Sequence, residues 1–150
     1  MIRINGFDLE TITFPNGEVG YKKHSFRGVS AIGPYRVDYK FEGNADLMDL
    51  FFVLEELRSK NQETTIYLRI GYMPYSRMDR NNEDFTFTLQ RLSTMLRRIP
   101  GLDISVVEPH SDVTARELEM YKMDMYGETF MTPGLVTSLM MDRGLNVKNT

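Results

Sequence analysis

Three short clusters hold the residues whose types and spacing could do chemistry. In Pro74-Tyr75-Ser76-Arg77-Met78-Asp79-Arg80, two arginines three apart can each offer a planar, multi-donor cation to a phosphate. In Glu108-Pro109-His110-Ser111-Asp112 an imidazole stands between two carboxylates, a set suited to a Mg²⁺-bound nucleotide or to proton transfer. In Thr13-Phe14-Pro15-Asn16-Gly17-Glu18 a tight turn carries an aromatic face and a carboxylate, which could stack on a purine and accept a hydrogen bond from its amino group. Each cluster also has an ordinary alternative: a solvated loop, a structural histidine and a plain hairpin turn.

The elements that must position these clusters follow from periodicity. The first 42 residues are rich in Tyr, Val, Ile and Thr and are broken by Asn5-Gly6, Asn16-Gly17, Gly28 and Gly33-Pro34, so they read as short strands and turns. Tyr35, Val37, Tyr39 and Phe41 alternate with charged residues, the period of a strand with one buried face. Over residues 46–60, Leu47, Leu50, Phe51, Leu54 and Leu57 recur at three- and four-residue steps and predict an amphipathic helix. A strand follows over 64–72, then a polar loop from Met73 to Glu83. Leu89, Leu92, Met95, Leu96 and Ile99 mark a second helix, stopped by Pro100-Gly101, and residues 102–108 predict another strand. A polar segment then leads to a third helix, with Thr132 placed to cap it, Pro133 at its first position and Gly144 just past its end. Strands alternating with helices predict an α/β domain whose mostly parallel sheet is flanked by helices, with antiparallel strands at its amino end. In such sheets ligands bind beyond the carboxyl ends of the strands, where the Arg77 and His110 clusters fall.

Composition narrows the function classes. Of the 150 residues 41% are hydrophobic and 26% charged, as in an ordinary single globular domain. The net charge of −3, with basic residues dispersed, argues against nucleic acid as the main partner. There is no cysteine, so a metal would need oxygen or imidazole ligands. No apolar run approaches the ~20 residues of a membrane span, and the first residues lack a signal-peptide pattern. A cytoplasmic protein without membrane attachment is expected.

Taken in order, the clusters resemble the amino-terminal half of the ribose-phosphate pyrophosphokinase family. Its members carry a phenylalanine-x-aspartate-glycine-glutamate turn, matched here by Phe14-Pro15-Asn16-Gly17-Glu18. Their next helix opens like Asp46-Leu47-Met48-Asp49-Leu50. Their proline-tyrosine-alanine-arginine-glutamine-aspartate-arginine loop agrees with this chain at Pro74, Tyr75, Arg77, Asp79 and Arg80. An aspartate-leucine-histidine-alanine segment is answered by Glu108-Pro109-His110-Ser111, and a later helix starts like Thr132-Pro133.

The resemblance implies a three-layer, phosphoribosyltransferase-like domain spanning residues 1–150, with the family's second domain absent. The family transfers the β,γ-diphosphoryl group of MgATP to the C1 hydroxyl of ribose 5-phosphate. By similarity, Phe14 stacks on adenine and Asn16, Gly17 and Glu18 shape the turn that reads it, supplied to a neighbouring subunit. Arg77, Met78, Asp79 and Arg80 face the nucleotide, and His110 lies at the Mg²⁺-phosphate end. A site shared in this way implies a homo-oligomer, and a separate carboxy-terminal half is a further expected partner. None of the family's catalytic groups falls within these residues, so the chain alone is expected to be inactive. Asn16 replaces aspartate, Met78 replaces glutamine, and Asn81-Asn82-Glu83-Asp84 stands where the enzymes carry a longer basic loop. These departures keep two alternatives open: a non-catalytic regulatory protein of the family, and an α/β domain whose motifs no longer hold a ligand.

Overall fold

A computed structural model of the chain describes residues 1–27, 29, 32–107, 109–123 and 129–143. Strands β1 (Ile2–Ile4) and β2 (Phe7–Asp8) form a first hairpin, and β3 (Thr11–Thr13) and β4 (Val19–Tyr21) a second, followed by a 3₁₀ turn over Lys23–Phe26. Then come β5 (Tyr35–Tyr39), α1 (Asn44–Lys60), β6 (Ile66–Ile70), α2 (Thr88–Arg97) and β7 (Leu102–Val107). A short α3 (Asp112–Glu117), strands β8 (Tyr121–Met123) and β9 (Thr129–Met131), and α4 (Pro133–Asp142) complete the described elements.

Seven strands make one sheet in the order β2-β1-β5-β6-β7-β9-β8, while β3 and β4 pair apart from it. The two predicted βαβ units are present: β5 pairs parallel to β6, and β6 to β7. The sheet is nevertheless mixed rather than mostly parallel, because β1 and β2 on one side and β9 and β8 on the other pair antiparallel. The segment read as merely polar after His110 contains α3 and this second antiparallel edge. Its strands are three residues each, too short to show a period of two. Gly28, Glu108, Gly144 and the last six residues lie outside the described residues.

Alternation decides which face is dry. Ile2, Ile4, Val37, Leu68, Ile70, Ile104 and Val106 point to one side and pack with Leu50, Leu54 and Leu57 of α1 and Leu89, Leu92 and Leu96 of α2. Helix α1 begins at Asn44, two residues before the predicted span of 46–60. Asp46 Oδ1 accepts hydrogen bonds from the Gly43 N–H (3.3 Å) and the Tyr39 hydroxyl (2.9 Å), and Oδ2 accepts from the Glu42 N–H (2.8 Å), which fixes the first turn. Burial, then that hydrogen bond, raises the Tyr39 phenol above its ordinary range and keeps it a donor.

The opposite face is polar. Across β2, β1, β5 and β6 runs a ladder of alternating charge: Asp8 and Arg3 pair at 2.6 Å, Arg3 stands opposite Asp38, and Asp38 and Arg69 pair at 3.8 Å. Helix α4 lies on this face over β7, with the hydroxyl of Tyr67 on β6 3.4 Å from Ser138 Oγ. Helices thus flank both sides of the sheet, but the second side is covered only in part. No helix among the described residues is long and apolar enough to cross a membrane.

Candidate functional site

The loops that leave the carboxyl ends of β5, β6 and β7 are tied together by side chains. After β6, Met73 and Pro74 are buried and anchor the start of the Arg77 loop. Tyr75 then adopts a left-handed backbone, φ 58°, which costs a side-chain-bearing residue roughly 1–2 kcal/mol. Two contacts hold it there: its hydroxyl donates to Asn44 Oδ1 at the start of α1, and its ring meets Phe41 at 6.3 Å. Turns closed by Ser76 N–H to Met73 O (3.3 Å) and Met78 N–H to Tyr75 O (2.8 Å) wind the loop tightly. Leu89 N–H then donates to Met78 O (3.2 Å), fastening it to α2.

Asp79 is the centre of this arrangement. Its carboxylate is buried and accepts from Arg80 Nε (3.1 Å) and, through the other oxygen, from Ser111 Oγ (3.0 Å). The hydrogen bond from Arg80 first, and that from Ser111 second, hold the Asp79 carboxyl below the usual aspartate range. The Arg77 and His110 clusters, 32 positions apart at the Asp79–Ser111 contact, are thereby joined at one edge of the sheet.

The predicted site residues divide by what they touch. Arg77 is exposed, and its guanidinium has no hydrogen-bond or ionic partner among the described residues. Arg80 is mostly exposed and engages Asp79 only through Nε, leaving its remaining donors to solvent. Met78 is half-buried, and its backbone rather than its thioether is hydrogen-bonded. Asp79 faces Ser111 and Arg80 and so serves as a positioning residue. His110 is exposed and likewise has no partner among the described residues. Of the two carboxylates flanking it in sequence, Glu108 lies outside the described residues, and Asp112 opens α3, where a negative charge suits the helix dipole. Among the described residues no group of three or more His, Asp or Glu side chains is arranged to hold a metal ion.

The third cluster stands elsewhere. Residues 14–18 form the exposed turn between β3 and β4, closed by Phe14 N–H to Glu18 O (2.8 Å) and Gly17 N–H to Phe14 O (2.9 Å). Gly17 has φ 87°, which explains glycine there. Asn16 grips Glu18 twice: Oδ1 accepts from the Glu18 N–H (3.1 Å) and Nδ2 donates to Glu18 Oε2 (2.8 Å). An aspartate at position 16 could make the first bond but would repel the carboxylate in the second. Phe14 is half-exposed, at 48%. The ribbon is moored at its base, where the Tyr21 hydroxyl donates to Asp49 (2.7 Å) and the Tyr21 ring meets Phe52. Nothing among the described contacts brings Phe14 or Glu18 to Arg77 or His110 of the same chain.

Several determinants were not visible in the sequence clusters. Tyr75–Asn44 and Asp79–Ser111 are long-range contacts between residues of common types. Asn81 and Asn82 are occupied locally: Asn82 Oδ1 accepts from the N–H groups of Asp84 (3.0 Å) and Phe85 (2.7 Å), and Asn81 Oδ1 from that of Phe87 (3.1 Å). Asparagine repeatedly closing its own turn was the one available signal. No protein-family model matches this chain, and no curated protein is significantly similar to it in sequence.

Proposed function

We propose that this chain is the nucleotide-facing half of a ribose-phosphate pyrophosphokinase-like protein, with a phosphoribosyltransferase-like fold. In this reading it binds MgATP, and it supports diphosphoryl transfer to ribose 5-phosphate or a related ribosyl substrate only when completed by a second domain. The observation that carries the reading is the Arg77 guanidinium, unpaired among the described residues, on a loop held in a strained turn at the carboxyl edge of a parallel β-strand. A cation left without a partner on a rigid support is prepared for a phosphate, because little ordering remains to be done on binding. Arg80 adds a second cation whose approach is fixed by Asp79, and His110 stands beyond the neighbouring strand on the segment that Ser111 ties to the same carboxylate. Mg²⁺ bound with the triphosphate would be held largely by phosphate oxygens and water, and would offset part of the phosphate charge.

The Phe14 turn is exposed and projects from a ribbon outside the main sheet. This suits a purine-stacking element offered to a second copy, so the working unit is a homo-oligomer. The glycine- and threonine-rich loop that cradles the sugar phosphate in the family has no counterpart in these 150 residues, and transfer by the chain alone is not expected. One observation favours a second reading, a regulatory protein of the same family that binds nucleotide or the enzyme without catalysis. The amide of Asn16 occupies one oxygen of Glu18, leaving less of that carboxylate to read a base.

Amide hydrogen exchange with and without MgATP tests the proposal. Binding should slow exchange over residues 72–80 and 109–112, and over the 14–18 turn only at concentrations where the chain self-associates. Unchanged exchange in all three segments at millimolar nucleotide would refute it.

A further inference from the structure

A second cleft lies away from the carboxyl edge, where the 3₁₀ turn and the base of β4 meet the outer side of α1. Its volume is about 540 Å³, within the range of small-molecule pockets. Three rings wall it: Tyr21 and Phe26 from one side and Phe52 from the helix, with buried Val53 at its floor. The Tyr21 hydroxyl is committed to Asp49, so Tyr21 offers the cleft its ring. Phe52 is 55% exposed although large and apolar, and its ring meets that of Tyr21 at 6.1 Å, tilted by 50°.

The charges at the rim do not cancel. Lys60 lies 5.8 Å above the Phe26 ring and pairs with Glu56 at 3.2 Å, so that pair is neutral. Lys23, across the cleft, has no hydrogen-bond or ionic partner among the described residues. Counting the side chains that line the cleft, one positive charge is left over, while the nearby Asp49 carboxylate is engaged by the Tyr21 hydroxyl. Aromatic walls favour a flat ring through offset or edge-to-face contacts, and the surplus cation favours an anion attached to it. We infer that this cleft is a binding site for a small planar aromatic acid, a one- or two-ring system bearing a carboxylate, sulfonate or phosphate. The site is independent of the nucleotide reading, since it shares no residue with the Phe14, Arg77 or His110 clusters.

The test uses 2-naphthoate and its uncharged analogue 2-naphthylmethanol, titrated to about 5 mM into the full chain and followed by backbone amide NMR shifts. Naphthoate should give saturable shifts concentrated at residues 21–26 and 52–60, and naphthylmethanol should bind more weakly. Lys23→Gln should weaken naphthoate by roughly fivefold and abolish the difference between the two probes. Phe52→Ala, at an exposed position, should weaken both. Failure of naphthoate to saturate shifts in those segments would overturn the assignment, as would a Lys23→Gln variant that binds it as tightly as the wild type.

Discussion

Asp79 shows how one side chain converts two separate motifs into one surface. Its carboxylate joins Arg80 to Ser111, and the pairing makes a pH prediction whose direction follows from the shift. A carboxyl held below its ordinary value stabilises the fold fully above about pH 4, and this contribution is lost as pH falls through the folded-state value. Thermal unfolding of the wild type between pH 7 and pH 3 should therefore show a larger fall in Tm than that of Asp79→Asn, whose amide cannot titrate. Parallel pH profiles would mean that the carboxylate does not bridge the loops. At this scale the sequence exposed the chemistry-bearing residues but not their division of labour. Arg77, Asp79 and Arg80 look alike as members of a polar loop. Only the fold shows that Asp79 turns inward to Ser111 while Arg77 has no partner among the described residues, because that difference depends on a contact 32 positions away.

Among the elements, α1, α2 and the three central strands were legible because each buries a whole stripe or face and writes its period into the chain. The β8–β9 edge was not, since three-residue strands carry almost no period and their pairing to β7 is a tertiary choice. The start of α4 was located correctly, yet its predicted cap acts differently. Thr132 Oγ1 makes no cap; it donates to Asp103 Oδ1 (3.0 Å) and accepts from the Ile104 N–H (2.9 Å), stitching the helix to β7. The Asp103 carboxylate comes so near α4 that a Cβ on Gly134 would lie 2.4 Å from Oδ1. Gly134→Ala should accordingly lower stability by about 1–3 kcal/mol in urea unfolding, through displacement of Asp103 from Thr132. In the double variant with Asp103→Ala the two losses should fall short of additive, since the clash disappears with the carboxylate. Strict additivity would locate the cost of the alanine elsewhere.

For the whole molecule, the two faces of the sheet divide the work. One face is closed by α1 and α2 over a continuous apolar core, while the other carries the Asp8–Arg3–Asp38–Arg69 ladder and, among the described residues, α4. Such a ladder keeps the exposed part of a sheet wet, as charged residues do on exposed strands. Rigidity from the closed face is passed to the carboxyl-edge loops through Asn44 and Leu89, and so to Arg77. The central claim is that Arg77 waits for a nucleotide phosphate, and calorimetric titration of MgATP into the wild-type chain and into Arg77→Ala tests it most directly. The wild type should give saturable heat, and the variant should bind about tenfold more weakly or worse, the loss expected for a charge-assisted hydrogen bond. Absence of heat from the wild type at millimolar nucleotide, or equal affinity in both proteins, would contradict it.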